Sequence, residues 1–172
     1  MSKKQQKKYE FTGETKVEFG NTLHRIRAVV AIAAIDVAAG DLGGWIEKES
    51  NLSLVSGDAW VSGNARVSGN ALVSDNARVS GNAWVSGNAR VYGKIISATR
   101  TDGYTFTVFH DHEYVVHIAA GCRYFTIEEA RQHWRATRGG TKLGDESLAL
   151  IDHLERMAKL QDWQKPVAEA AE

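Results

Sequence analysis

Small apolar residues recur with a period of six through the middle of the chain. Ala59, Ala65, Ala71, Ala77, Ala83 and Ala89 each stand two positions before a valine, and Val55 begins the valine series that ends at Val91. In an extended strand, residues two apart face the same side. The pattern predicts short strands of the form Ala-x-Val, with both small groups inward and x outward. Ser-Gly-Asn fills the positions between, with Gly57-Asp58 and Asp75-Asn76 as variants. Glycine and asparagine tolerate left-handed backbone, so a tight corner can recur there. A helix is excluded, because a period of six with regular glycine fits neither 3.6 nor 3.5 residues per turn.

The flanks carry other periods. Residues 9–32, YEFTGETKVEFGNTLHRIRAVVAI, alternate as a β-hairpin with Gly20-Asn21 as its turn, Ile26, Ala28 and Val30 on one side and Arg25 and Arg27 on the other. Gly40-Asp41 and Gly43-Gly44 mark turns, and Trp45-Ile46 begins a capping coil. After Tyr92-Gly93 the alternation predicts three strands, at residues 95–99, 104–110 and 114–119, with Tyr104, Phe106 and Val108 on one face. Thr126 with Glu129 forms a capping box that opens a helix to about Arg138, burying Ile127, Ala130 and Trp134. Gly139-Gly140 ends it. A second helix runs from near Asp145 to about Leu160 and buries Leu148, Ile151 and Leu154. The expected layout is a flexible basic tail at 1–8, a β cap at 9–53, the repeats at 54–95, an α+β lobe at 96–162 and a frayed tail with Pro166 at 163–172.

The hexads resemble the hexapeptide repeat of left-handed parallel β-helices. That resemblance implies a mainly β fold: a short left-handed parallel β-helix of about two to three coils, capped by the N-terminal β segment and the C-terminal lobe. Three hexads make one coil, so residues 18 apart stack on successive coils about 4.8 Å apart. Trp60 then lies on Arg78, Arg66 on Trp84, and Leu54 on Leu72 and Arg90. The two Trp–Arg pairs suit cation–π contact. So short a coil needs capping, and the resemblance favours a homo-oligomer, a trimer above others. The whole chain is similar to a family of hexapeptide-repeat proteins of bacteriophages and prophages, often labelled loosely as transferases. The residues that carry this are YEFTGETK with LHRIRAV, GDLGGWIEKESNLS, the repeats, DGYTFTVF and GCRYFTIEEARQHW.

Composition narrows the function. The chain has 21 acidic and 21 basic residues, a formal net charge of zero, which argues against a general nucleic-acid binder. No apolar run reaches the ~20 residues of a membrane span, and the basic N-terminus leads into no apolar signal region. One cysteine, Cys122, suits a reducing cytoplasm, that of the bacterial host, and is expected as a buried small hydrophobe. An acyltransferase of this fold would need a histidine base at the coil surface, and a zinc enzyme would need several histidines there. The hexads contain none: His24, His110, His112, His117, His133 and His153 all lie outside them. No catalytic residue, metal or cofactor is therefore expected.

Two non-catalytic readings lead, and a CoA-dependent acyltransferase ranks behind them. One is a protein that sequesters a small nucleotide-type ligand, as a counter-measure to nucleotide signalling in bacterial immunity. It would use Trp60, Arg66, Arg78 and Trp84 on the coil, and Arg25, Arg27, Arg100, Arg123 and Tyr124 at the ends. Arginine grips phosphates, and aromatic and guanidinium planes stack on bases. The GCRYF turn before a helix N-terminus adds an expected anion site. The other reading is an oligomeric scaffold that binds a protein partner.

Overall fold

The computed structural model describes residues 7–54, 57–161 and 163. Val55, Lys3, Lys4 and Pro166 lie outside the described residues.

The N-terminal hairpin joins β1 (Tyr9–Glu18) to β2 (Asn21–Ala28), and β3 (Leu42–Ile46) pairs with β2 antiparallel. Its two-residue loop is Phe19-Gly20, one position earlier than expected. Both residues have positive φ (49° and 82°), the geometry that matches strand twist. The repeats follow as β4 (Trp60–Val61), β5 (Arg66–Val67), β6 (Leu72–Val79), β7 (Trp84–Val85) and β8 (Arg90–Thr99). These pair in parallel at the expected spacing: Trp60 with Arg78, Arg66 with Trp84, Leu72 with Arg90. The first coil is longer. Trp45 pairs with Arg66 and Leu52 with Val73, a longer spacing that displaces Leu54 from its expected place on Leu72, because a 3-10 turn at Glu49–Asn51 is inserted there.

Inside, the alanines and valines of the hexads from Ala59 to Val91 are at most 1 % exposed, a narrow apolar bore. Hexad glycines turn the corners at φ 62–78° where described. At Asp75 a side-chain-bearing residue adopts the same conformation (φ 53°).

The coil does not close a solenoid of its own. Both sheets are mixed: one runs β1-β2-β3-β5-β7, and the other runs from β11 (Arg123–Thr126) through β10 (Val116–Ala120) and β9 (Thr105–His110) to β8, β6 and β4. Tyr9, Ile26 and Leu52 seal one end of the bore, with the Tyr9 hydroxyl donating to the Glu49 and Leu52 carbonyls. Lys8, expected in the tail, is 5 % exposed, and its amide donates to the Leu54 carbonyl. The C-terminal sheet seals the other end. β8 continues out of the coil into β9 (Thr105–His110), β10 (Val116–Ala120) and β11 (Arg123–Thr126). The lobe thus has four strands rather than three. GCRYF is the Gly121-Cys122 hairpin loop plus a strand, since Ala120 pairs with Arg123. One face of this sheet presents Phe109, Ala119 and Tyr124 to the bore. The other packs Phe106, Val108 and Ile118 against α1 (Ile127–Arg138) and α2 (Lys142–Leu160). Helix α2 starts three residues before Asp145 because Thr141 caps it, its hydroxyl accepting from the Gly144 amide at 3.1 Å. No helix among the described residues is long and apolar enough to cross a membrane.

Candidate functional site

The Trp–Arg faces of the coil are not open platforms. Trp60 is 4 % exposed, and beside it the Arg78 guanidinium donates to the carbonyl of Ala34, in the Ala33–Ile35 turn, at 2.9 Å. Trp60 and Arg78 line a shallow cleft of about 410 Å³ with Ile35, Val37 and Leu42. On the next face Trp45, Arg66 and Trp84 form a ladder that the hairpin closes. Lys16 sits 4.4 Å and Arg25 5.1 Å from the Trp45 ring centre, Phe19 stacks on Trp84 at 4.5 Å, and Arg66 pairs with Glu18. Arg66 also lies 5.7 Å from the Trp84 ring. The outward slot points away from the bore as expected; Trp60 is buried there, the hairpin packs on Arg66 and Trp84, and Arg78 and Arg90 stay exposed. Arg27 is spent elsewhere, in an exposed pair with Glu10 at 2.5 Å.

The residues expected at the C-terminal end divide by strand alternation. Tyr124 faces the bore end, stacked on His117 at 4.7 Å. Arg123, its neighbour on β11, faces the opposite side. There it joins Arg100, Tyr104, His133, Thr137 and Arg138 around a cleft of about 450 Å³. Arg100 lies just past β8 and forms the wall. It is 5 % exposed, grips Asp102 with two N–H groups at 2.9 and 2.7 Å, and donates to the Ser147 hydroxyl at 2.7 Å. Its hydrogen bonds with Asp102 raise its pKa and hold the Asp102 carboxyl at about 2.

Arg123 and Arg138 differ from Arg100. Both are exposed, and neither guanidinium has an ion-pair partner among the described residues. His133 stands beside them with its pKa lowered by burial first and by the Arg123 charge second, so it is neutral at pH 7. The cleft therefore holds two free cations and a neutral imidazole, against one wall cation already neutralised. That is a receptor for a compact anion with more than one charged oxygen. Arg138 and His133 were not singled out by sequence. On a helix they read as a solvated face, and only i, i+4 spacing with Trp134 and Thr137 hints at a shared side.

Two expectations near this cleft are corrected. The helix N-terminus at Thr126 is not an open anion site: the Glu129 carboxylate accepts from the Thr126 amide at 2.8 Å and fills it. Cys122 is exposed, not buried, because it occupies the hairpin loop.

The carboxylates that brace the fold give a pH expectation. Hydrogen bonds from Thr126 hold Glu129 low, and Arg131, then Lys159, hold Glu155 low, as Arg100 does Asp102. A depressed carboxylate contributes stability that is present above its unfolded pKa and lost as pH falls through the folded one. A depressed histidine acts with the same sign, starting near 6.5. The melting temperature should decline gently below about pH 6.5 and steeply between about pH 4 and pH 2. Melts across that range check it, and a flat profile down to pH 3 would contradict it.

The family model of the YdcK β-solenoid repeat matches three overlapping stretches, residues 59–74, 65–81 and 71–87. The hexads are a β-solenoid repeat. No curated protein is matched by the chain.

Proposed function

We propose that this is a non-catalytic binding protein that captures and sequesters a small nucleotide-type anion in the cleft between β11 and α1. The observation that carries this reading is the pair of exposed, unpaired guanidinium groups, Arg123 and Arg138, on one cleft. Arginine forks match phosphate oxygens. The coil serves as a spine. In keeping with the hexapeptide resemblance, its hand is left and its assembly a homo-oligomer, a trimer above others. The resemblance to phage and prophage proteins supports a role in withholding nucleotide messengers from bacterial defence, in the host cytoplasm, without a cofactor.

The test is a melting-temperature panel of cyclic and ADP-ribose-type nucleotides. A ligand at 100 times its Kd adds about 2.7 kcal/mol, a rise on the order of 5–10 °C. The ligand should leave unchanged on denaturation. No rise across the panel overturns the reading.

A second reading is favoured by one observation. At the hairpin tip Val17 and Phe19 are 72 % and 76 % exposed, which suits a scaffold that docks a second chain there. A single protein partner copurifying in fixed ratio would favour it over ligand capture.

A further inference from the structure

The hexad is broken once in its glycine slot, by Asp75, and once in its serine slot, by Tyr92. These two departures meet. Ser74 pairs with Tyr92 across β6 and β8, which sets Asp75 and Tyr92 on one cleft of about 340 Å³. The lobe completes the cleft with His110, His112 and Tyr114. Tyr114 also has a positive φ, 63°. Aspartate tolerates that region, but a bulky tyrosine held there is a genuine outlier, and it points to a side chain kept for what it presents in the cleft.

What they present is rings around a carboxylate. The Tyr114 ring stacks on His110 at 4.9 Å and 7°, and Tyr92 lies 5.8 Å from His112. Gly93 permits the approach, since a Cβ there would lie 2.9 Å from His110 Nε2. The Asp111 carboxylate is already occupied, accepting from the Glu113 and Val115 amides and bonded to His117 Nε2. The exposed Asp75 carboxylate meets the Ser74 hydroxyl at 3.3 Å and has no cationic partner among the described residues. His110 Nδ1 lies 2.8 Å from the Asp111 carbonyl, so that nitrogen carries a proton and donates it.

We infer that this cleft binds a small organic cation, an alkylammonium or guanidinium ion. The Asp75 carboxylate neutralises its charge, and the Tyr92 and Tyr114 rings offer their faces. The site is separate from the arginine cleft and does not rest on it.

The test follows the ring-proton signals of Tyr92, His112 and Tyr114 by NMR. Butylammonium, tetramethylammonium and guanidinium chloride are titrated against matched sodium chloride. At least one should give saturable shifts that sodium chloride does not. Asp75→Gly restores the repeat, so it should keep or raise the melting temperature while weakening binding at least fivefold. Asp75→Asn keeps the shape without the charge and should weaken binding as much. No saturable shift, or less than fivefold weakening in either variant, overturns the proposal.

Discussion

Phe109→Ala is expected to lower stability by about 3–5 kcal/mol. Phe109 is fully buried and plugs the C-terminal end of the bore, with Tyr124 at 6.0 Å and His117 at 6.2 Å. The loss is large because the site cannot collapse. The bore above it is built of alanine and valine on parallel rungs whose backbones are tied from coil to coil, as in the Arg66 amide donating to the Ala83 carbonyl at 2.9 Å. Small side chains on a hydrogen-bonded frame have no slack to move into a void, so most of the cavity persists. For a domain of ordinary stability, about 5–15 kcal/mol, this removes a third or more in many cases. Denaturant melts read it as a lower midpoint with an unchanged slope. A loss under about 1 kcal/mol would mean that the lobe does not seal the coil.

The same packing shows what was legible in the sequence. The period of six set the inward residues and the spacing of the rungs, because a strand needs only small residues at alternate positions to line a bore. The stacking of Trp60 on Arg78 and Arg66 on Trp84 followed from that spacing. The cover over them did not. Ala34 accepts from Arg78 beside the buried Trp60, and Phe19, from the hairpin turn, stacks on Trp84. Nothing in the periodicity says which way an outlying hairpin folds back.

The site residues divide on the same ground. Arg100 and Arg123 were found as cations near turns, and the structure brings both to one cleft. Arg25 and Arg66 have the same chemistry, but each lies over a ring of the ladder, Arg25 over Trp45 and Arg66 over Trp84, and an ion pair with Glu18 holds Arg66. Arg138 completes the cleft from a helix, where a single arginine has no local signature. Sequence thus distinguished residue types, and only tertiary pairing distinguished free cations from spent ones.

Replacing Arg123 and Arg138 together by alanine is expected to weaken nucleotide capture by about 10²–10⁴-fold. A hydrogen bond to a charged group contributes about 1.5–3 kcal/mol, and each guanidinium would make at least one to the ligand. The fold should barely notice, since exposed and unpaired side chains change stability within about 0.5 kcal/mol. Arg100→Ala separates binding from support. It leaves the Ser147 hydroxyl buried without its donor and frees Asp102, so it should lower stability first and affinity only through the displaced wall. Lysine at 123 and 138 keeps the charge but loses the fork, so it should recover part of the affinity. Raising salt should weaken the wild type more than the double variant, because exposed charges are screened. These differences are read by titrating whichever nucleotide raises the melting temperature. Full affinity in the double variant would remove the cleft from the mechanism.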